Sequence, residues 1–265
     1  MELLALGAIG VISGLLGGML GIGGGVVIVP ALIIAYELTG QHAAADVTVI
    51  AVATSMSVII FTSFSAAYTQ FRAKKVRMDL ALKLAPFFVL GSFAAGLSTP
   101  AFDPALLRAL IGLFLLAVAF IMLINWKPDP NRQFPGLIGS GATGLAGGFV
   151  SGTAGIAGGN VIVPTLLYFN TPVHNATATS SGMGVPIALA GAVGYAFGEA
   201  TGQTGSMLGL IDLKSWFAIT LGAITCAPIG VKIAHRLPAA TLKRVFGGFL
   251  LLAAIRMLYS STSLM

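Results

Sequence analysis

The chain has 265 residues, of which 57% are apolar and only 8% charged, with a formal net charge of +6. Soluble domains carry roughly 25% charged residues, so the composition excludes a soluble globular protein, a disordered chain and a disulfide scaffold. The mean hydropathy of +0.97 describes an integral membrane protein with several spanning helices.

Uncharged stretches delimit eight runs. The first four cover residues 3–36, 47–71, 84–102 and 109–126. A polar linker follows, Lys127-Pro128-Asp129-Pro130-Asn131-Arg132, whose prolines and charges argue against a continuous helix. The last four runs cover 135–169, 176–197, 215–231 and 245–255. The chain thus divides into a first repeat at 1–126, a cytoplasmic linker at 127–135 and a second repeat at 136–265. Basic residues cluster between apolar runs, which ties them to membrane orientation and not to nucleic acid. No Lys or Arg precedes Arg72, so no positive segment marks a signal peptide. The single Cys226 lies in an apolar run and reads as a small packed side chain.

Runs one and five are long, each about 34 residues, which as one straight helix would measure about 50 Å against a hydrocarbon core of about 30 Å. Each is interrupted by glycine. A long tilted helix is one reading; the glycine clusters favour two shorter helices meeting at a break inside the membrane.

A shift of 134 residues aligns these two runs without a gap. Gly10, Gly14 and Gly18 fall on Gly144, Gly148 and Gly152, and Gly21-Ile22-Gly23-Gly24-Gly25 falls on Gly155-Ile156-Ala157-Gly158-Gly159. Val27 to Pro30 repeats as Val161 to Pro164. The likeness returns with small shifts at Ala51 to Ser55 against Ala176 to Ser180, at Asp79-Leu80 against Asp212-Leu213, and at Gly112 against Gly247. The protein is two copies of one unit.

Charge relates the copies. Arg72, Lys74, Lys75, Arg77 and Lys83 lie between runs two and three, whereas Lys232, Arg236, Lys243 and Arg244 lie one loop later in the second half. The loop before run four has only Arg108. By the positive-inside rule the halves face opposite ways, provided each long run enters and leaves on one side. The expected fold is all-α and polytopic: two inverted repeats, each a glycine-broken re-entrant or half-helix hairpin plus three transmembrane helices, with both termini outside.

Interrupted helices in matching positions of inverted repeats are the pattern of a secondary transporter with a site near the midplane. A half-helix starting inside the membrane directs free N–H groups and a partial positive charge at that site, so the expected ligand is a small anion. The candidate backbone contacts are Gly21, Gly23, Gly24 and Gly25, with Gly155, Gly158, Gly159 and the side chain of Asn160. For the consecutive glycines, a ligand role and a purely structural bend stand side by side; the glycines spaced by four read as a helix-packing stripe. Pro30 and Pro164 are expected in the first turn of the following helices, with Val26 to Val29 extended.

Thr54 and Ser55, and their counterparts Thr179 and Ser180, offer hydroxyls to an oxyanion or, alternatively, to their own backbone. Asn160 replaces Val26 and would serve an asymmetric ligand or a helix cap. His174 precedes the second hydroxyl cluster and is either an interfacial histidine or a group that couples transport to protons or another ion. No metal or cofactor motif is present, no lysine follows the glycines as in a phosphate-binding loop, and no base pairs with Ser151; an enzyme is not expected.

The segment Gly-Ile-Gly-Gly-Gly-Val-Val-Ile-Val-Pro at 21–30, its second copy at 155–164, and the Ala-x-Ala-Thr-Ser stretches from Ala51 and Ala176 resemble the TauE/SafE family of sulfite exporters and related anion permeases. The resemblance covers nearly the whole chain. It implies a prokaryotic cytoplasmic membrane and transport of sulfite, thiosulfate or organosulfonates such as sulfoacetate; some members are linked to other small organic acids. The second copy departs at Ala157 and Asn160. An anion channel built on the same breaks remains the alternative.

Overall fold

The computed structural model describes residues 2–124, 136–200 and 206–262, in an order that repeats itself. The first half runs α1 (Glu2–Leu20), α2 (Gly25–Thr39), α3 (Val47–Arg72), α4 (Met78–Ser98) and α5 (Pro104–Leu123). The second runs α6 (Leu137–Thr153), α7 (Gly159–Tyr168), α8 (Val173–Ala196), α9 (Leu213–Arg236) and α10 (Ala239–Thr262). A short hairpin, β1 (Met207–Leu208) paired antiparallel with β2 (Ile211–Asp212), leads into α9. Among the described residues six helices are long and apolar enough to cross a membrane, and α2 and α7 are shorter apolar helices. The chain is an all-helical integral membrane protein.

Both long runs are broken where the glycines stand. Gly21, Gly23 and Gly24 have φ of +71°, +71° and +91°, and Gly155 and Gly158 have +71° and +84°. That left-handed region ends α1 and α6 and reverses the chain. The returning arm lies against the first. A β-carbon on Gly24 would sit 2.6 Å from the Ser13 carbonyl oxygen. Farther out, Ala5 and Ile9 of α1 share a groove with Ala31 and Leu38 of α2. The arms are unequal, 19 and 15 residues in the first hairpin and 17 and 10 in the second.

Two local expectations are corrected. Pro30 and Pro164 are inside α2 and α7, not in their first turns, and Val26 to Val29 is helical, not extended. The helices start five residues earlier because the left-handed glycines already turn the chain. Each proline then only withholds one N–H from the carbonyl four residues back, those of Val26 and Asn160.

Arg108 and Lys83, expected in loops, are also within helices, α5 and α4. Arg108 is 1% exposed. Its guanidinium donates to Thr48 at 2.7 Å and to Glu37 at 2.6 Å, and also to Ser260. Burial is tolerated because the charge is paired and its donors are used.

The strongest interfaces join the halves. The stripe Gly10, Gly14, Gly18 lies directly on the backbone of Ile219, Ala223 and Ala227 in α9, and Gly148 of α6 lies on the backbone of Phe88 in α4. These glycines pack helices at a distance that no side chain would permit. Helices α3 and α8 cross antiparallel through the middle: Ser63 meets Gly184, and Met56 meets Gly191. Helices α5 and α10 pair antiparallel on the outside, with Gly112 against Leu258 and Gly247 against Leu123.

Cross-half hydrogen bonds define two ends. Tyr36, Thr48, Thr54, Arg108, Asp212 and Ser260 meet at one. Gln70, Lys75, Arg77, Asn175, Thr179 and His235 meet at the other. The second end holds Arg72, Lys74, Lys75, Arg77, Lys83, Lys232, Arg236, Lys243 and Arg244; the first holds Arg108, Lys214 and Arg256 with most of the acidic residues. Lys127 and Arg132 lie outside the described residues.

Candidate functional site

The two hairpin tips touch. A β-carbon on Gly25 would collide with the Gly155 carbonyl oxygen, and one on Gly159 would sit 2.5 Å from the Ile22 Cα. Glycine is required here for close approach of backbone to backbone. Sequence reasoning placed Gly21 to Gly25 and Gly155 to Asn160 at one site, and the structure brings them together. Ala157, at the place of Gly23, adopts φ +43°, a conformation that costs a residue with a β-carbon about 1–2 kcal/mol.

The contact brings together the starts of α2 and α7. The first-turn N–H groups of Val27, Gly159 and Val161 donate to the carbonyls of Gly24, Ile156 and Gly158, and the helix dipole adds partial positive charge at that end. The tips therefore concentrate positive potential between buried apolar walls that include Ile22, Val29, Val52, Ile59 and Ile162. No mobile cation or carboxylate is required for an anion to be attracted there.

The flanking hydroxyls form a reciprocal pattern. Ser55 of α3 donates to the Gly155 carbonyl at 2.8 Å, and Ser180 of α8 donates to the Gly21 carbonyl at 2.7 Å. Each half holds the other half's tip. Thr54 accepts from the backbone N–H of Asp212 at 3.0 Å, and Thr179 accepts from that of Arg77 at 3.0 Å; these are the residues that precede α9 and α4. Thr179 itself donates to the Asn175 carbonyl at 2.7 Å. A serine or threonine has one proton to donate. In this arrangement Ser55 and Ser180 spend theirs on the carbonyls of the tips, and Thr179 spends its own on its helix.

Asn160 occupies the first turn of α7 and is 0% exposed. Neither its Nδ2 nor its Oδ1 has a hydrogen-bond partner in the protein. Leaving a buried amide unpaired costs on the order of 1–3 kcal/mol per group, so such a side chain marks a position that something else satisfies. Its counterpart Val26 has no polar atom to satisfy.

His174 is not at the tips. It opens α8 at the basic end, 6.4 Å ring to ring from His235, whose Nε2 is 2.8 Å from Gln70 Oε1. His174 Nδ1 is buried without a partner. Sequence reasoning did not find His235 or Gln70, which stand 61 and 104 positions away from His174 with no shared motif. It also missed a buried cluster at the opposite end, formed by Tyr36, His42, Asp212 and Ser215. The one signal for that cluster was the repeated Asp-Leu pair, which reads as a mark of duplication and not as a site.

Comparison with known proteins identifies membrane-transporter relatives. A family model described as sulfite exporter TauE/SafE matches residues 6–257. A probable membrane transporter protein of Haemophilus influenzae is 27% identical over 253 residues, covering 94% of this chain and 95% of the relative. One of Methanocaldococcus jannaschii is 26% identical over 248 residues, covering 91% and 90%, and YunE of Bacillus subtilis is 26% identical with 98% of each chain covered. No solved structure matches. From residue 6 to residue 257, tips, central helices and both termini of the duplication included, the chain belongs to the TauE/SafE sulfite exporter family.

Proposed function

We propose that the protein is a secondary transporter of small sulfur-containing anions such as sulfite, thiosulfate or an organosulfonate, bound where the two hairpin tips meet. The observation that carries this reading is the contact between two helix N-termini, with a buried, unpaired Asn160 in the first turn of one of them. Backbone N–H groups take the oxyanion, and the Asn160 amide adds one donor and one acceptor that distinguish one face of the ligand from the other. The protein binds and moves its ligand without chemical change to it.

The halves are read as inverted repeats of a prokaryotic cytoplasmic membrane protein, with the basic end in the cytoplasm. Support comes from the uneven distribution of Lys and Arg between the two ends and from the paired contacts α1 with α9 and α6 with α4. Direct contact of tip with tip favours a carrier that opens to one side at a time over a channel, because the seal is backbone on backbone.

The test is uptake of labelled sulfite, thiosulfate and sulfoacetate into proteoliposomes, alongside an Asn160→Val variant that restores the residue of the first half. Saturable uptake of one anion is expected, with uptake at least about tenfold lower in N160V, the loss of one to two hydrogen bonds to a charged ligand. The variant removes an unpaired buried amide, so its thermal stability is expected to equal or exceed that of the parent. Uptake of none of the three would remove sulfur oxyanions as ligands; full uptake in N160V would remove Asn160 from the site.

A further inference from the structure

The anion site leaves unused one cluster of buried titratable side chains. Asp212, the last residue of β2, is 6% exposed. Its Oδ1 accepts from the backbone N–H of Lys214 at 3.0 Å and so caps α9. Its Oδ2 accepts from the Ser215 hydroxyl at 2.6 Å and the Tyr36 hydroxyl at 3.0 Å. His42 Nε2 is 3.8 Å from the same oxygen, buried and without a hydrogen-bond partner. The His42 ring stands edge-on to Tyr36, 4.5 Å between centroids.

Asp79, the match of Asp212 in the sequence duplication, is set differently: it lies in the first turn of α4, whose N-cap position is Arg77 and has no side-chain cap bond. Asp79 is about half exposed and pairs at 2.6 Å with Arg77, a permanent cation. In the second half the carboxylate is buried and its nearest cationic candidate is a histidine, the side chain whose charge changes near neutral pH. Burial pushes the Asp212 carboxyl up, but His42, Ser215 and Tyr36 outweigh it and hold it at about 2. The carboxylate is therefore charged at physiological pH.

The cluster sits at a joint. Tyr36 lies on α2, the helix that begins at the first tip. The backbone N–H of Asp212 donates to Thr54, whose neighbour Ser55 holds the Gly155 carbonyl of the second tip. Other charged groups at this end are Asp46, Asp103, Glu199, Lys214, Arg256 and the pair Glu37–Arg108. Arg256 is 3.8 Å from Glu37, so that carboxylate is already shared between two guanidinium groups. His174, by contrast, faces a second histidine, His235, and no carboxylate pairs with it among the described residues.

We propose that His42 and Asp212, braced by Tyr36 and Ser215, form a proton-binding site that couples proton movement to movement of the anion. The inference rests on the transporter reading above. A proton from water at this end adds to the lone pair of Nε2, and the imidazolium closes on Asp212 Oδ2. It competes there with the Tyr36 hydroxyl and loosens the outer end of α2. Deprotonation at the same nitrogen restores the Tyr36 bond.

The test compares the parent with His42→Gln in proteoliposomes by two assays. Counterflow, which needs binding and translocation but no driving gradient, is expected within about twofold of the parent. Accumulation driven by an imposed pH gradient is expected to fall to the equilibrium level in H42Q. Gradient-driven accumulation that persists in H42Q at the parent level overturns the proposal. Absence of counterflow in the parent overturns the transporter reading instead. In either case nuclear magnetic resonance of the histidine-labelled protein reads the site directly: the His42 signal is expected to change with pH and to shift in Asp212→Asn. A His42 signal that does not titrate, or is unmoved in D212N, overturns the proposal.

Discussion

Gly24 and Gly158 are equivalent in sequence but differ in what surrounds them. Both have left-handed φ, so alanine costs about 1–2 kcal/mol at either. A β-carbon on Gly24 would also meet the Ser13 carbonyl oxygen at 2.6 Å, which is backbone and cannot move aside. On Gly158 it would meet methyl ends of Ile162 and Ile187 at 2.9 and 3.1 Å, which can. Thermal unfolding in detergent is expected to rank Gly24→Ala clearly below Gly158→Ala, with Gly7→Ala, which meets nothing within 4 Å, unaffected or slightly stabilised. The breaks at these glycines were legible in the sequence because a run of them interrupts an apolar stretch too long for one span. The partners of Ser55 and Ser180 were not, because both are carbonyls of the other half, 100 and 159 positions away.

At the scale of the element, the breaks were readable and their edges were not. Length and glycine content divide each long run in two, but β-branched residues before a proline resemble extended chain, and here they are the first turns of α2 and α7. Tertiary packing of Ile28 and Ile162, both 0% exposed, overrides that local preference. Two elements depend on the reciprocal serine bonds. Ser55→Ala and Ser180→Ala are each expected to cost about 1 kcal/mol and to raise hydrogen exchange at the tip that loses its bond, the second tip for S55A and the first for S180A. The glycine stripe makes a sharper claim. Gly14→Leu would drive a side chain into the Ala223 backbone, and the expected result is loss of folded protein in size-exclusion chromatography.

At the scale of the molecule, charge was the most legible feature. The two ends differ strongly in Lys and Arg content, as counting along the sequence anticipates, even though Arg108 and Lys83 are helical. Cysteines introduced at Lys74 and Lys243 in a Cys226→Ser background are expected to react with an impermeant thiol reagent from the cytoplasmic side only. Labelling of the two from opposite sides would end the inverted arrangement. The Asp212 cluster was not legible: its members come from α2, the loop after it, β2 and α9, and only folding makes them neighbours.

The helix partners of the first half come largely from the second: α1 lies on α9, α4 on α6, α3 on α8 and α5 on α10. A repeat in the sequence is therefore not a folding unit. Neither half made alone has a surface that lipid could cover, since its glycine stripes would face acyl chains that cannot approach the backbone as a helix does. Two fragments severed between residues 126 and 136 and produced together are expected to copurify and regain transport, whereas each produced singly is expected to be degraded. The duplication thus supplies each copy with the surface it lacks: what one repeat leaves bare, the other covers.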